Sequence, residues 1–519
     1  MTAPSLPFPQ QQTRRITTPT PRVPPWVTGG LFIAAVLVGI AALTEDRAVF
    51  LAAALLAMLI GGAVVLYKPH IGVLVIMSTM LMSYPDALKG VGPFTINNLL
   101  GASLALILAF QAYRTHDYWF LREPEVRLLI VIAAWFIFVY AISDLFLPEK
   151  RLLPSVARTG LEAREYGQSD DGARWVFELI SRVAFLIFFV NWIKSPSQMR
   201  WVLYMLGVCV AVVIPTVGPD IAQSDTEYRI TSEVAGWAAN ANRFAFMMNV
   251  GIALFIYLAG VVRPILMRLI FLGLAAASVP IVLLSASRSG FMGLGLIGFL
   301  YLLGPQISRR WKVASGCIAL ALAVLAFNFV LTAEHQERLF NINPFEAEAG
   351  VEGSRSSEVR MTTLGEALTI IAKYPLTGVG LANFRWVNAI MHDSYKPPHN
   401  SYMWSAAEGG IPATILYLTL FGFVYTRIQK LRPKFYDHPT LPYLPEFLNL
   451  YLILLFFFSI FADVWLEVHI YFIVAISVVL SRWVEDEELR GRGLPGAVAG
   501  TPGARRAAAR ALYRPAARA

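Results

Sequence analysis

The sequence predicts an all-α polytopic membrane protein with about fourteen transmembrane helices. One large loop is predicted on the side of the membrane opposite to the cytoplasmic tails. Three observations lead to this fold class. Hydrophobic residues make up 56% of the 519-residue chain and charged residues only 15%, whereas soluble domains carry about 25% charged residues. Apolar segments of membrane-spanning length recur along the chain. Lys and Arg recur in register in alternate loops, which gives the chain one consistent orientation.

The fourteen predicted spans are residues 27–43, 48–66, 70–84, 97–113, 127–147, 176–193, 201–217, 240–261, 267–285, 289–304, 313–332, 411–428, 447–464 and 467–482. Several of them are close to the lower limit of about 17 residues for a membrane-spanning helix. The chain then divides into five predicted regions. These are a disordered N-terminus (1–25), transmembrane helices 1–11 (26–331), a large outer loop (332–410), transmembrane helices 12–14 (411–482) and a disordered basic tail (483–519).

The formal net charge of +9 indicates Lys and Arg held on the cytoplasmic side of a membrane. The basic residues are scattered over many short loops, which argues against nucleic-acid binding. The Arg-rich C-terminal tail is the one basic cluster, and it is suited to contact anionic lipid headgroups. Both termini are predicted to be cytoplasmic, because this orientation leaves the outer loops acidic or balanced.

Residues 357–374 of the outer loop predict an amphipathic helix. Its apolar stripe consists of Leu364, Ala367, Leu368 and Ile371, at spacings of three and four residues. Pro375 ends the helix, because the residue before a proline disfavours helical geometry. Arg360 lies one turn before the stripe and is expected to point toward the membrane domain. A snorkelling arginine that covers apolar surface is an equal alternative.

A tight turn and a capped helix are predicted at the end of the outer loop. Gly378-Val379-Gly380 follows a helix rather than a strand, so close backbone packing is favoured over a nucleotide site. Asn400 is predicted to cap a short helix through Glu408, and Pro412 suits the first turn of the next membrane helix. His399 then stands before a helix N-terminus, where backbone N–H groups favour anionic ligands. An ordinary surface histidine is the alternative.

Several charged residues are predicted at the outer face of the membrane. Arg288 lies in the short hairpin 285–290, and Arg243 begins another helix from the same side. Glu178 and Arg182 are four residues apart and are expected to form a structural ion pair. A charge at the bilayer centre costs at least about 2.5 kcal/mol, so residues at membrane depth are functional candidates. Snorkelling to the headgroups is the alternative for Arg288.

Arg243, Arg288, Arg360 and His399 together suit the metal-free displacement of a diphosphate. Guanidinium groups bind phosphate oxygens in bidentate fashion, and histidine accepts a proton from a hydroxyl near neutral pH. No carboxylate cluster spaced for a divalent ion is evident in the sequence of the outer face. The two cysteines lie in apolar stretches and indicate neither a disulfide framework nor a zinc site. No metal and no cofactor is therefore expected.

Three motifs lie in order along residues 235–425. They are Ser285-Ala286-Ser287-Arg288-Ser289-Gly290, Tyr374-Pro375-Leu376-Thr377-Gly378-Val379-Gly380 with Asn383-Phe384, and Pro398-His399-Asn400 followed by Glu408-Gly409-Gly410. In this order and placement they resemble the bacterial O-antigen ligases and related polysaccharide polymerases. The layout of many membrane helices with one large loop extends the resemblance over nearly the whole chain.

The resemblance implies a GT-C-like fold and metal-independent, inverting glycosyl transfer at the periplasmic face of the bacterial inner membrane. The loop 332–410 would be periplasmic and catalytic. The donor would be a glycan on undecaprenyl diphosphate, and the acceptor either a lipid A–core sugar or another lipid-linked glycan. His399 matches the histidine proposed to activate the acceptor hydroxyl. Arg288 and Arg360 match arginines proposed to hold the diphosphate, with Arg243 a less clear match. The supporting residues are Asn400, Asn383, Glu408 and, by position only, Arg182.

Other functions stay open at this point. Ligase and polymerase are close rivals, because the shape of the pocket sets the choice of acceptor. A transporter or flippase for a lipid-linked saccharide would need charges deep in the bundle and commonly has inverted repeats. A non-catalytic scaffold of an envelope assembly would tolerate replacement of Arg288 and His399 together.

Overall fold

The computed structural model describes residues 65–82, 96–115, 118–147, 172–217, 240–303 and 352–491, except Leu66 and Leu466. The regular structure of these residues is helical, with no strand among them. Their helices are α1 (Pro69–Leu81), α2 (Ile96–Thr115), α3 (Pro124–Phe146), α4 (Gly172–Trp192), α5 (Pro196–Thr216), α6 (Ala241–Val261), α7 (Ile265–Leu284), α8 (Arg288–Leu303), α9 (Glu352–Lys373), α10 (Phe384–His392), α11 (Ser401–Phe435), α12 (Leu444–Phe458) and α13 (Val468–Gly491).

The described helices make this a polytopic, all-helical membrane protein. Six of them are long and apolar enough to cross a membrane, namely α3, α5, α6, α7, α11 and α13. Helices α1, α2 and α12 are shorter but also apolar. The predicted spans 27–43, 48–66 and 313–332 lie outside the described residues apart from Val65, as do residues 1–25. Helix α13 continues to Gly491, beyond the predicted end of its span at residue 482.

The chain forms two compact units, residues 1–71 and 72–519, and the site described below lies in the second. Helices α6 and α13 are the most deeply buried in that unit. Helix α6 packs against α7, α8 and α12, while α13 packs against α4 and α11. Helix α7 instead exposes Ile265, Leu266 and Leu269. An exposed apolar face of this kind is suited to lipid contact, because lipid tails are as apolar as these side chains.

Helix α9 confirms the amphipathic helix predicted in the outer loop, but its buried face is rotated from the predicted stripe. Thr363, Ala367 and Ile370 are buried, whereas Leu368 is 51% exposed. The Thr363 hydroxyl donates to the backbone carbonyl of Val359 at 2.9 Å. This bond satisfies the polar atom, so a threonine can occupy the packed face. Reading the stripe from apolar residue types alone misplaced it by about one position.

Helix α11 is two helical segments separated by a break at Gly410. The Asn400 side chain accepts hydrogen bonds from the backbone N–H groups of Tyr402 and Met403, which confirms the predicted N-cap. Gly410 has φ 74° and ψ 175°, a conformation that glycine adopts without the steric cost of a Cβ. The second segment follows with Pro412 in its first turn, as the sequence predicts.

The predicted tight turn holds this break in place. Gly378 and Gly380 both have positive φ, 61° and 88°. The backbone N–H groups of Val379 and Gly380 donate to the carbonyls of Ala407 and Glu408, each at 2.8 Å. These carbonyls end the first segment of α11, where helical partners are missing. The turn therefore acts as a backbone cap, and it fixes Glu408 against the start of α10.

Candidate active site

His399 lies on a short extended lead-in immediately before the Asn400 cap of α11. Its φ of 48° is in the left-handed region, which non-glycine residues adopt only where the surroundings enforce it. Its imidazole Nδ1 lies 3.4 Å from Oδ2 of Asp463, and the histidine side chain remains 25% exposed. The side chain is thus directed by a carboxylate and still open to solvent on part of its surface.

Asp463 lies on the loop of residues 459–467, which joins α12 to α13. The span predicted for 447–464 is too long, because α12 ends at Phe458. The start of α11 anchors the loop: the Ser401 hydroxyl donates to the carbonyl of Ala462 at 2.6 Å and accepts from the N–H of Val464 at 2.9 Å. These bonds flank Asp463 on both sides. They fix its carboxylate opposite the histidine two residues before Ser401.

Arg243 begins α6 and contacts two carboxylates of the same loop. One guanidinium nitrogen lies 3.3 Å from Glu467, and another lies 3.9 Å from Asp463. Burial raises the pKa of Asp463. The hydrogen bond and the charge of His399 lower it, as do the charges of Arg243 and Arg385, and together these effects exceed that of burial. The net effect holds the pKa of Asp463 below its usual value of 3.8. Asp463 is therefore an anion at neutral pH.

Arg182 joins the cluster through Glu467. Its guanidinium lies 3.1 Å from Glu178 on the same helix, which confirms the predicted pair. The same nitrogen lies 3.7 Å from Glu467, whose side chain is only 8% exposed. Glu467 thus bridges Arg182 and Arg243 and links α4, α6 and the 459–467 loop. The predicted local pair, which is partly exposed at Glu178, is thus joined through Arg182 to the buried carboxylate of Glu467.

Arg288 begins α8, next to serines that bind the start of α6. The hydroxyls of Ser287 and Ser289 approach Oδ1 of Asn242 at 2.7 Å and 3.3 Å. The amide of Asn242 in turn donates to the carbonyl of Phe461 at 3.3 Å. The hairpin that carries Arg288 is therefore tied to the helix start that carries Arg243 and to the 459–467 loop.

Arg360 lies in α9 and is half-buried. It does not line the cleft described below, and neither do Arg288 and His399. The structure brings His399, Arg243 and Arg182 together around the 459–467 loop. It holds the backbone of Arg288 beside them, and it leaves Arg360 on a separate helix that packs against α11.

A small cleft of about 20 Å³ lies beside this network. Its lining residues are Trp175, Arg243, Ala382, Arg385, Trp404, Glu408, Asp463, Trp465 and Glu467. Three tryptophans, two arginines and three carboxylates make the lining both aromatic and polar. Among the described residues, no group of His, Cys, Asp and Glu side chains has the arrangement of a metal site.

The remaining predicted residues have structural partners. Asn383 donates from its amide to the carbonyl of Val379 at 2.8 Å and so closes the tight turn. Glu408 is 2% exposed, and its Oε1 accepts from the backbone N–H of Phe384 at 3.4 Å. Asn400 is the cap of α11 and also donates to the carbonyl of Ile460. Of these three, only Glu408 lines the cleft.

Sequence reasoning missed Asp463, Glu467, Arg385 and the cleft tryptophans. Asp463 and Glu467 stand within otherwise apolar sequence, Asp463 near the end of the predicted span 447–464 and Glu467 at the start of the predicted span 467–482. Ionisable residues in such a stretch are functional candidates by default, and that signal was available. The sequence around Arg385 and Trp404 gives no comparable signal. Both residues fall in the predicted outer loop, where an arginine and a tryptophan are usual in any membrane protein.

The helical bundle and the polar cleft define an integral membrane protein with a charged, aromatic site where several helices begin and end. Residues 273–418 match the family model described as O-antigen ligase. The match includes all three sequence motifs and confirms the resemblance to the O-antigen ligase and polysaccharide polymerase family. No curated protein sequence matches the chain.

Proposed function

We propose that the protein is a metal-independent, inverting glycosyltransferase that moves a glycan from undecaprenyl diphosphate to a sugar hydroxyl. The contact between His399 and Asp463 carries the proposal, because a histidine oriented by a carboxylate is suited to general-base catalysis. The family match over residues 273–418 supports a glycosyl-transferring activity. The cofactor-free chemistry follows from the groups involved, since a base and an anion-binding cluster suffice for this displacement.

The proposed reaction begins at the acceptor hydroxyl. Nδ1 of His399 donates to Asp463, so the lone pair of Nε2 accepts the hydroxyl proton. The acceptor oxygen attacks the anomeric carbon and forms the new glycosidic bond. The bond from that carbon to the diphosphate oxygen breaks, and its electron pair leaves with the diphosphate. Attack opposite the leaving group inverts the anomeric configuration.

Arginines stabilise the departing diphosphate in this scheme. Arg288 and Arg360 bind its oxygens, and Arg243 joins them from the start of α6. Arg243 already contacts Asp463 and Glu467, but a guanidinium has five N–H donors and can serve carboxylate and phosphate together. Arg182 supports Arg243 through Glu467. Asn383, Asn400 and Glu408 hold the turn and the cap that position His399.

The proposed setting is the bacterial inner membrane, with the site at the periplasmic face and both termini in the cytoplasm. The residues that carry the site stand at the N-terminal end of α11, whereas Arg427, Arg432 and Lys434 stand toward its C-terminal end. This polarity matches the positive-inside rule. The partners are the lipid-linked donor glycan, an acceptor that is either lipid A–core or a second lipid-linked glycan, and the surrounding lipids.

A transfer assay with the purified full-length protein tests the function. The protein in lipid nanodiscs is incubated with a glycan on undecaprenyl diphosphate, with lipid A–core or lipid-linked acceptors, and with a chelator. We expect a new glycosidic bond, and His399→Ala to lower the rate by about 10²–10⁴-fold. His392→Gln is the matched control, since His392 contacts Thr369 and Asn388 instead of the site.

Two outcomes contradict the proposal. A transporter or flippase would move the lipid-linked glycan without forming any glycosidic bond. Full activity of His399→Ala at normal expression would show that His399 is not the base.

The glycan products of a strain that lacks the protein distinguish the two activities of the family. Long unattached chains indicate a ligase, and loss of chain length indicates a polymerase.

A further inference from the structure

Helix α9 carries apolar side chains that its packing against the described helices leaves uncovered. Met361 and Leu368 are 54% and 51% exposed. They are seven residues apart in the sequence, so they stand on one line of the helix, two turns apart. Half-buried Leu364 and Ile371 stand beside them, at spacings of three and four residues. These four side chains form one apolar stripe, which we call the α9 stripe.

The other sides of α9 are the ones that contact the protein. The helix packs against α10 and α11, and Ala367 is fully buried on its packed face. On the polar flank, the Asn388 amide of α10 donates to the Glu366 carboxylate at 2.7 Å, and the Thr369 hydroxyl lies 2.9 Å from Nε2 of His392. An amphipathic helix usually buries its apolar stripe in the protein core. Helix α9 instead turns its packed and polar sides to the protein and leaves the stripe outside.

The C-terminal end of α9 stands where two membrane-spanning helices begin or end. The backbone N–H of Ile411, the first residue after the break in α11, donates to the carbonyl of Pro375 at 2.8 Å. The ring centroids of Tyr374 and of Phe146, the last residue of α3, are 6.3 Å apart. Both α3 and α11 are long and apolar enough to cross a membrane. The end of α9 is therefore at the boundary of the bilayer.

Exposed apolar side chains continue from α9 onto α11 through Leu376. Leu376 follows the end of α9, is 71% exposed, and places its backbone carbonyl against Gly410. Beyond this break, Ile411, Ile415 and Leu418 are exposed along the segment of α11 that can cross the membrane. Lipid tails are the natural cover for such a face, because they are as apolar as these side chains.

We propose that α9 lies on the surface of the lipid bilayer and inserts the α9 stripe among the lipids. Interfacial amphipathic helices bury their apolar face about 5–10 Å into the boundary of headgroups and acyl chains. The residues at the end of the helix fit this level, since the Lys373 ammonium lies 5.3 Å from the ring centroid of Tyr374. Tyrosine rings and lysine ammonium groups are both favoured at a membrane–water interface. The proposal concerns the attachment of α9 and holds with or without the transfer reaction.

Lipid fits the α9 stripe better than a protein partner does. A stable protein interface involves about 20–30 residues on each side, and the stripe is far smaller than that. Its Leu376 end also leads directly to a face of α11 that lipid covers when this helix crosses the membrane. Held by α10 on one side and by lipid on another, α9 restrains the turn Gly378–Gly380 that caps the first segment of α11.

Nitroxide spin labels on single cysteines report the surroundings of each position in the full-length protein in lipid nanodiscs. Met361→Cys and Leu368→Cys place a label on the α9 stripe and leave the buried face unchanged. Thr362→Cys places a label next to Met361 on the exposed polar flank and is the matched control. All variants are made in a background without the native cysteines, through Cys209→Ala and Cys317→Ala.

Collisions of the label with O2 and with a water-soluble Ni(II) chelate distinguish lipid from water, because O2 concentrates in lipid and the chelate stays in water. Ile415→Cys on α11 is the lipid reference, and Asp437→Cys in an exposed loop is the water reference. We expect Met361→Cys and Leu368→Cys to show the collision pattern of the lipid reference, at a depth of about 5–10 Å. We expect Thr362→Cys to show the pattern of the water reference.

Three results would overturn the proposal. Stripe labels that collide with the Ni(II) chelate as readily as the water reference would show that the stripe faces water. Stripe labels shielded from both O2 and the chelate would show that protein covers the stripe, either a second copy or another segment of the chain. A Thr362→Cys label as exposed to lipid as the stripe labels would show that α9 is immersed in the bilayer and does not lie on its surface.

Discussion

Nδ1 of His399 lies 3.4 Å from Oδ2 of Asp463, although all of α11 and α12 separate the two residues along the chain. The Ser401 hydroxyl makes this contact possible, since it bonds the backbone on both sides of Asp463. The same carboxylate also faces Arg243, which restrains its position while it orients the imidazole of His399. The site is thus assembled by a loop rather than by two helices facing each other.

The first prediction concerns the charge of Asp463. Asp463→Asn keeps the size of the side chain but removes the anion that fixes the Nδ1–H tautomer of His399. We expect the transfer rate to fall by about 100-fold or more, within the range of general-base catalysis, while the amount of protein in membranes stays the same. Asp437→Asn, in an exposed loop, is the control. Equal transfer rates for the two variants would show that Asp463 does not assist the base.

The second prediction concerns acid stability. The folded protein holds the pKa of Asp463 below 3.8, so its anion stabilises the fold above that pH. This contribution is lost as pH falls through the lowered pKa. We expect the unfolding midpoint of the wild type to exceed that of Asp463→Asn above the usual carboxyl pKa of 3.8, and the difference to shrink as pH falls below it. Thermal unfolding in detergent on both sides of this pH measures the difference, and a difference that grows as pH falls below 3.8 contradicts the prediction.

The third prediction compares two glutamates that bind the same arginine. Glu467 is 8% exposed and bridges Arg182 and Arg243, whereas Glu178 is 32% exposed and pairs along one helix. Breaking a buried pair costs about 3–5 kcal/mol because a charge is left without its partner. An exposed pair on one helix costs less than about 1 kcal/mol. We expect Glu467→Gln to lower the free energy of unfolding in a detergent titration far more than Glu178→Gln.

The helices and half of the site could be predicted because their signals are local. Apolar segment length predicted the six described helices that are long enough to cross a membrane. Asn400, Gly409 and Pro412 predicted a helix end and a new start, and the structure has the break one residue later, at Gly410. Arg182 and Arg243 were singled out as charges in the outer part of apolar segments, and His399 because it precedes the capped start of a helix.

The acidic half of the site was missed because its signal depends on chain geometry. Asp463 and Glu467 stand in a run that continues the apolar composition of α12 and α13, so hydropathy alone reads it as membrane helix. Only the bonds from Ser401 show that the chain leaves the helix at Phe458. The cleft around Trp404 arises from packing of distant elements, which periodicity within one segment does not encode.

The last prediction concerns the break in α11. A Cβ added at Gly410 would lie 2.3 Å from the carbonyl oxygen of Leu376, and the φ of 74° disfavours any side chain. Gly410→Ala should therefore cost more than the roughly 1–3 kcal/mol of left-handed backbone strain. It should also abolish transfer, because the turn that caps the first segment of α11 and holds Glu408 must shift.

Gly422→Ala in the same helix is the control. Its Cβ meets no atom within 4 Å, and alanine is more favourable than glycine in a helix by about 1 kcal/mol. Expression, unfolding midpoint and transfer rate of the two variants should diverge strongly. If Gly410→Ala matches Gly422→Ala in all three, the break does not position the site.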